Sequence, residues 1–272
     1  MNSPVSPGTG AAGNSAPAPA GKPRKPRYPA TVKRVQTLTP RMVRVTFTSP
    51  ELADFGWNGP AAHLKLIFGD VATATAADSN APRPAMRTYT PRRFDRDTRE
   101  LDVDFVLHGE GPASTWASKA VEGQTLTVAG PGRNYGVDRD SRAFLLVGDD
   151  SAIPAIATIL EALPETARAT VFLEVVDATD EFSIYAGSNA TIKWLHRGED
   201  PAKAGSLLEG AVRDYELVEP ARVYVACEAA AMRRIRRHLL TERGMDRDHV
   251  VTRGYWKLGA TDHPDGDYGQ DT

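Results

Sequence analysis

Residues 143–163 read AFLLVGDDSAIPAIATILEAL. Residues 143–147 form a continuous apolar run, the pattern of a strand buried on both faces. A glycine and two aspartates follow, and residues 151–163 then take up helical spacing. Downstream, 170–176 (TVFLEVV), 191–195 and 222–226 (RVYVA) repeat the buried-strand pattern, and 228–243 is an arginine-rich helix ended by Gly244. Strands alternating with helices predict a doubly wound parallel sheet over 142–259, an α/β nucleotide-binding-like domain.

Upstream of residues 138–142 the texture differs. Residues 31–35, 42–47, 63–68 (HLKLIF), 87–91, 101–107 and 125–129 are short, mostly alternating segments. Six such strands between turn residues predict an antiparallel six-stranded β-barrel over 28–138. Residues 71–85 read as a low-complexity surface loop, and 111–120 (GPASTWASKA) as one short helix with Pro112 at an early position. Residues 1–27 are Pro, Ala, Gly and Ser with few large apolar side chains, which predicts a disordered leader; 260–272 reads as a flexible tail.

The length of 272 residues suits about two domains, at roughly 150 residues each. A net charge of −2 gives no electrostatic case for nucleic acid or an anionic membrane. No segment approaches the ~20 apolar residues of a membrane span. A single cysteine, Cys227, excludes internal disulfides and cysteine-rich zinc sites, and points to a reducing, cytoplasmic compartment. The His, Cys and acidic residues show no spacing of a metal cluster. The leader lacks the apolar run of a secretory signal and the arginine pattern of a transit peptide.

Two stretches carry candidate chemistry. Arg87-Thr88-Tyr89-Thr90 ends a barrel strand, where strand alternation puts Arg87 and Tyr89 on one face. A ring able to stack, a guanidinium able to fork onto a pyrophosphate and a hydroxyl able to bond a heterocycle edge suit a flavin dinucleotide. The competing reading is an edge strand with a surface arginine. Asp104 to Gly109 (DFVLHG) then leads to Gly111-Pro112-Ala113-Ser114, a glycine turn entering a helix, where backbone N–H groups and the Ser114 hydroxyl suit a phosphate. His108 is either a proton carrier or structural.

Five motifs in order, RTYTPRRFD (87–95), VDFVLHGEGPASTWA (103–117), VAGPGRNY (128–135), LLVGDDSAIPAIATILEALP (145–164) and GYWKLG (254–259), resemble the siderophore-interacting protein family. These are FAD-binding ferric-siderophore reductases of ferredoxin-reductase architecture. The resemblance spans about residues 28–259. It implies that Arg87, Thr88, Tyr89 and Thr90 hold the flavin and its pyrophosphate. Asp104, Val106, Leu107 and His108 would line the FAD, and Gly111, Pro112, Ala113 and Ser114 would cradle its phosphates. Trp256, beside Tyr255, would close the flavin's exposed side.

The same resemblance implies a nicotinamide region at Asp149, Ser151 and Ala152, where GDDSAIPA is similar to the family's GDETALPA. Asp149 and Asp150 would repel a pyrophosphate if they faced it. Cys227 and Met232 have the spacing of a nicotinamide-side pair in related flavoreductases, with Glu228-Ala229 replacing the usual Gly-Pro; the competing reading is a small buried thiol at a strand end. Arg233, Arg234, Arg236 and Arg237 are a solvated helix face or a contact for the 2′-phosphate of NADPH. The expected reaction passes electrons from NADPH or NADH through FAD to a ferric siderophore, with no catalytic side chain required. Reduced ferredoxin is the alternative donor, disfavoured because 260–272 is too rich in Asp, Gly and Pro for the C-terminal helix linked with that use. A flavin- or siderophore-binding protein without catalysis is the third reading. Anionic ferric chelates call for cations, and Lys65, Arg133 and Lys257 are the candidates. A monomer is expected.

Overall fold

A computed structural model describes residues 25–69, 84–109, 111–185, 187, 189–218, 220–261, 263–264 and 266–269. Most of the expected leader and of the 71–85 loop lies outside the described residues.

The first sheet contains β1 (Arg27–Thr39), β2 (Met42–Thr48), β3 (Leu64–Phe68), β4 (Ala85–Tyr89), β5 (Pro91–Asp95), β6 (Glu100–Val106) and β7 (Thr125–Ala129). They pair antiparallel in the order β4-β3-β7-β1-β2-β6-β5. The two end strands, β4 and β5, are consecutive in sequence with only Thr90 between them. The sheet must therefore curl until its edges meet at Thr90. This is a seventh strand beyond the six expected. Residues 87–91 read as one strand, but β4 ends at Tyr89 and Pro91, which lacks an N–H, begins a new one. Phe47, Leu64, Leu101 and Phe105 are fully buried inside the curl. Helix α1 (Pro112–Ala117) closes one end, with Trp116 at centroid distances of 6.0, 5.6 and 5.7 Å from Phe47, Phe68 and Phe105.

The second sheet is parallel: β8 (Ala143–Asp149), β9 (Arg168–Val175), β10 (Ala190–His196), β11 (Ala221–Glu228) and β12 (Val250–Trp256), ordered β10-β9-β8-β11-β12. Helix α2 (Ile153–Ala162) covers one face; α3 (Ser206–Asp214) and α4 (Ala229–Arg237) cover the other. In β8, Phe144 and Leu146 pack toward α2, while Leu145 and Val147 pack toward α3 and α4. The strand order reverses between β8 and β11, which opens a crevice at their carboxyl ends. Gly148 lets α2 begin there: a Cβ on it would lie 2.6 Å from the Ala152 Cβ and 3.0 Å from the Ala226 carbonyl. Two strands run longer than their apolar cores suggested: β11 takes in Cys227 and Glu228, and β12 continues through Tyr255 and Trp256.

The barrel docks on the α2 face. Met42 and Tyr135 share an apolar cluster with Phe144, Ile156 and Tyr224. Arg41 reaches Asp177, Asp180 and Glu199, and Arg92 reaches Glu161 at 2.6 Å. Among the described residues no helix is long and apolar enough to cross a membrane. The described residues of the tail fold back on the outer edge of β12, with Gly254 N donating to Asp267 O at 2.9 Å and Thr252 Oγ1 to Tyr268 O at 2.7 Å. An edge strand has unpaired backbone groups, and this segment satisfies that of Gly254.

Candidate functional site

The curl of the barrel and the reversal of the parallel sheet face each other. Between them lies a cleft of about 620 Å³. That is within the usual range for cofactor sites, roughly 300–1,000 Å³. The barrel contributes the corner where its edges meet, Arg87 to Thr90, together with Val106, His108 and Ser114. The α/β domain contributes Ser151, Pro154, Tyr224, Tyr255 and Trp256.

The Tyr89 ring packs 4.5 Å from Phe105, and burial raises its phenol pKa. Arg87 Nη2 donates to the Thr261 carbonyl at 3.0 Å. Gly109, at φ +50°, and Gly111 have open space where a Cβ would stand. An aromatic wall, an arginine and a bare glycine turn together fit a flavin dinucleotide. Ser114 Oγ accepts from His108 N at 2.9 Å, which closes the turn and leaves the hydroxyl proton available to a ligand.

Several expected site residues make contacts within the fold. Asp104 is almost wholly buried at the cleft's edge, and Arg44 donates to it twice, at 2.6 and 2.8 Å. That pair fixes β2 against β6 and leaves little of the carboxylate for a cofactor. Leu107 packs against the barrel core, and Pro112 is not on the cleft wall. Asp149 turns inward. Its Oδ1 accepts from Ser151 N at 3.1 Å and its Oδ2 from Trp256 Nε1 at 2.7 Å and Glu228 N at 3.0 Å. Burial, then the neighbouring Asp150, pushes its pKa up to about 7. Ala152, the N-cap of α2, is fully buried.

Cys227 lies away from the cleft. Alternation along β11 points Tyr224 and Ala226 toward the barrel, and Val225 and Cys227 toward α3 and α4. The thiol is fully buried in that far core with Met232, and burial pushes its pKa well up. The Glu228 carboxylate caps α4, accepting from Ala230 N at 2.7 Å and Ala231 N at 2.9 Å. The α4 arginines are largely committed: Arg233 to Asp267, Arg234 to Glu209, and Arg236 buried beside Thr252.

Among the charged residues of the cleft wall, cations outnumber acids. Arg87, Arg133, Arg197, Arg253 and Lys257 line it, against the acids Asp104 and Asp150. Both acids are paired, Asp104 with Arg44 and Asp150 with Arg197 at 3.1 Å. Lys65 lies outside the wall, with Nζ 3.4 Å from the Thr88 hydroxyl. The sequence reading missed Arg197, whose Nη1 is buried without a partner among the described residues, and Arg253. Arg253 was within reach: it is two residues before Tyr255 on β12, so alternation puts both on the barrel-facing side.

A ferredoxin NADP+ reductase from Neisseria gonorrhoeae, 14% identical, superposes with a TM-score of 0.64 over 85% of this chain and 99% of its own. The model for the siderophore-interacting FAD-binding domain matches residues 31–135, and that for the siderophore-interacting protein matches 141–259. The chain belongs to the siderophore-interacting protein family. It is 33% identical to the ferric vibriobactin reductase ViuB of Vibrio cholerae over 84% of this chain and 89% of that one. A siderophore utilization protein from T. fusca, 36% identical, aligns with a TM-score of 0.79 over 88% of this chain and 96% of that one. The protein SipS from Aeromonas hydrophila, 32% identical, aligns at 0.76 over 88% and 94%.

Proposed function

We propose that this chain is an NAD(P)H-dependent ferric-siderophore reductase. The observation that carries the reading is the cation-lined cleft, which brings the Arg87–Thr90 corner of the barrel to the crevice of a parallel sheet. FAD held by Arg87, Tyr89 and the glycine turn before Ser114 would supply the exchange between a two-electron hydride donor and one-electron iron, a balance of one NAD(P)H for two Fe(III). Iron held by hard oxygen donors is bound far more tightly as Fe(III), so reduction releases it.

The chain's own residues bind and orient. Tyr89 offers its ring to the flavin, and Arg87 offers its guanidinium to the pyrophosphate. Arg197, on the cleft wall beside Asp150, offers positive charge to an anionic part of the nucleotide at the α/β side. Arg133, Arg253 and Lys257 raise the local concentration of an anionic chelate, with Lys65 acting from behind Thr88. The buried single thiol suits a cytoplasmic setting.

Anaerobic stopped-flow mixing of the FAD-loaded protein with NADPH or NADH tests the reading. Rapid bleaching of the flavin band, followed by reoxidation with a ferric catecholate and Fe(II) release, is expected. Bleaching by reduced ferredoxin alone would change the donor. No bleaching by any of them would leave a binding protein.

A further inference from the structure

Past Trp256 the chain stays at the cleft and then locks back onto its own sheet. The Thr261 carbonyl accepts from Arg87 on the barrel side, and Asp267 returns to β12. Asp267 Oδ2 accepts from His263 Nε2 at 2.8 Å and from Arg233 Nη2 on α4 at 2.6 Å, and this side chain is 7% exposed. Gly254 makes room for the latch. A Cβ on it would lie 2.8 Å from Asp267 Oδ2 and 3.0 Å from His263 Nε2. The glycine of the GYW motif is thus a point of close approach by the returning segment.

The next residue crosses the sheet edge. Tyr268, its carbonyl held by Thr252, sets its ring 4.3 Å from the Arg253 guanidinium carbon. Arg253 also donates through Nη1 to the Thr252 carbonyl at 3.0 Å, and it lines the cleft. An arginine near a strand end samples many rotamers, and each must be given up to dock an anion. Stacking on an aromatic face restricts them before the ligand arrives and leaves the guanidinium's remaining N–H groups for oxygen acceptors. Covering the edge of β12 needs only the backbone contacts. The aromatic ring falls on the barrel-facing residue of that edge.

We propose that Tyr268, latched by Asp267, is a positioning residue that holds Arg253 oriented into the cleft to receive an anionic ferric chelate. This rests on the reading of the cleft as the siderophore-docking place. It assigns a function to residues after the GYWKLG motif and makes the substrate site depend on a segment outside both domain cores.

The test measures binding without turnover. A gallium(III) tris-catecholate is trianionic and carries the shape of the ferric complex but is not reduced. Its Kd is measured by calorimetry on FAD-loaded protein, with variants matched for FAD occupancy and thermal midpoint. Tyr268→Ala should raise Kd about three- to tenfold, the size expected of a partly buried cation–π contact. Tyr268→Phe, which keeps the ring, should restore it to within about twofold of the parent. Asp267→Ala should act like Tyr268→Ala. A neutral gallium trihydroxamate should respond much less. If Arg253→Ala weakens the catecholate while Tyr268→Ala and Asp267→Ala bind like the parent, the positioning role is wrong and the docking reading stands. If Arg253→Ala has no effect, the docking reading fails and the proposal with it. Equal losses for the trianionic and neutral complexes in Tyr268→Ala would mark a general structural role and overturn the proposal.

Discussion

The indole Nε1 of Trp256 donates to the Asp149 carboxylate at 2.7 Å, tying the last residue of β12 to the last residue of β8. The strand between them joins the same oxygen, because Glu228 N donates to it at 3.0 Å. One buried carboxylate therefore gathers three strand ends behind the part of the cleft wall that Ser151 and Trp256 line.

Burial pushes the Asp149 pKa up to about 7 from an ordinary 3.8. The folded state then binds this proton more tightly than the unfolded chain. Its contribution is complete below about pH 4 and declines as pH rises toward 7, by up to ~4 kcal/mol. Other carboxylates, such as Glu242 with its pKa lowered to about 2 by Arg213, act with the opposite sign at lower pH. The difference between parent and Asp149→Asn isolates the effect. Urea titrations at pH 5 and pH 7.5 should show the parent losing stability, relative to Asp149→Asn, at the higher pH.

Trp256→Phe keeps a ring but removes the donor to a buried carboxylate. Stability should fall by ~1–3 kcal/mol. Hydride transfer to the flavin should stay close to the parent rate, whereas Trp256→Ala should lose both stability and rate. Denaturant midpoints and single-turnover flavin bleaching give the two readouts.

Arg87→Ala and Tyr89→Ala should both purify with less FAD than the parent, with the arginine variant losing more because a buried pyrophosphate loses its counter-charge. Tyr89→Ala should also shift the flavin absorption bands. Flavin-to-protein absorbance ratios after gel filtration measure the first effect. Full occupancy in both variants would remove these residues from the cofactor site.

Asp104→Ala should behave as a stability variant. It leaves Arg44, 22% exposed, without its bidentate partner. The cost should be ~2–4 kcal/mol, discounted from the full range for buried pairs because the arginine reaches water. The thermal midpoint should drop by roughly 5–10 °C. The FAD dissociation constant of the folded fraction should change little, which separates this residue from Arg87.

Neutralising Arg133 and Lys257 together should raise KM for a trianionic ferric catecholate more than for a neutral hydroxamate, and the difference should shrink as salt rises through the screening range. Adding Lys65→Met should contribute less, since Lys65 lies behind Thr88 rather than on the cleft wall. Equal responses from both substrates would place docking elsewhere.

The chain's order of periodicities determined a great deal by itself. Alternating short strands followed by buried runs and helices specify a barrel and then a parallel α/β sheet, because strand burial on one or two faces is written directly into the spacing of apolar residues. The Arg87–Thr90 corner and the Gly109–Ser114 turn were visible for the same local reason: each is a contiguous run whose chemistry does not depend on a distant partner.

Tertiary structure decided which candidates face the cleft. Cys227 and Tyr224 sit on one strand, three residues apart, and only the side on which the barrel docks sends one to the cleft and the other into the far core. Asp149 reads like a nucleotide-facing acid until Trp256, 107 residues later, arrives to claim it. The segment after Gly259 has a composition that cannot bury a core, yet β12 is an edge strand and Gly254 leaves space, so its backbone finds partners there. Local pattern records which residues seek burial or a partner. Which partner each one meets is set by chain closure over long sequence separations, and that information resides in the packing.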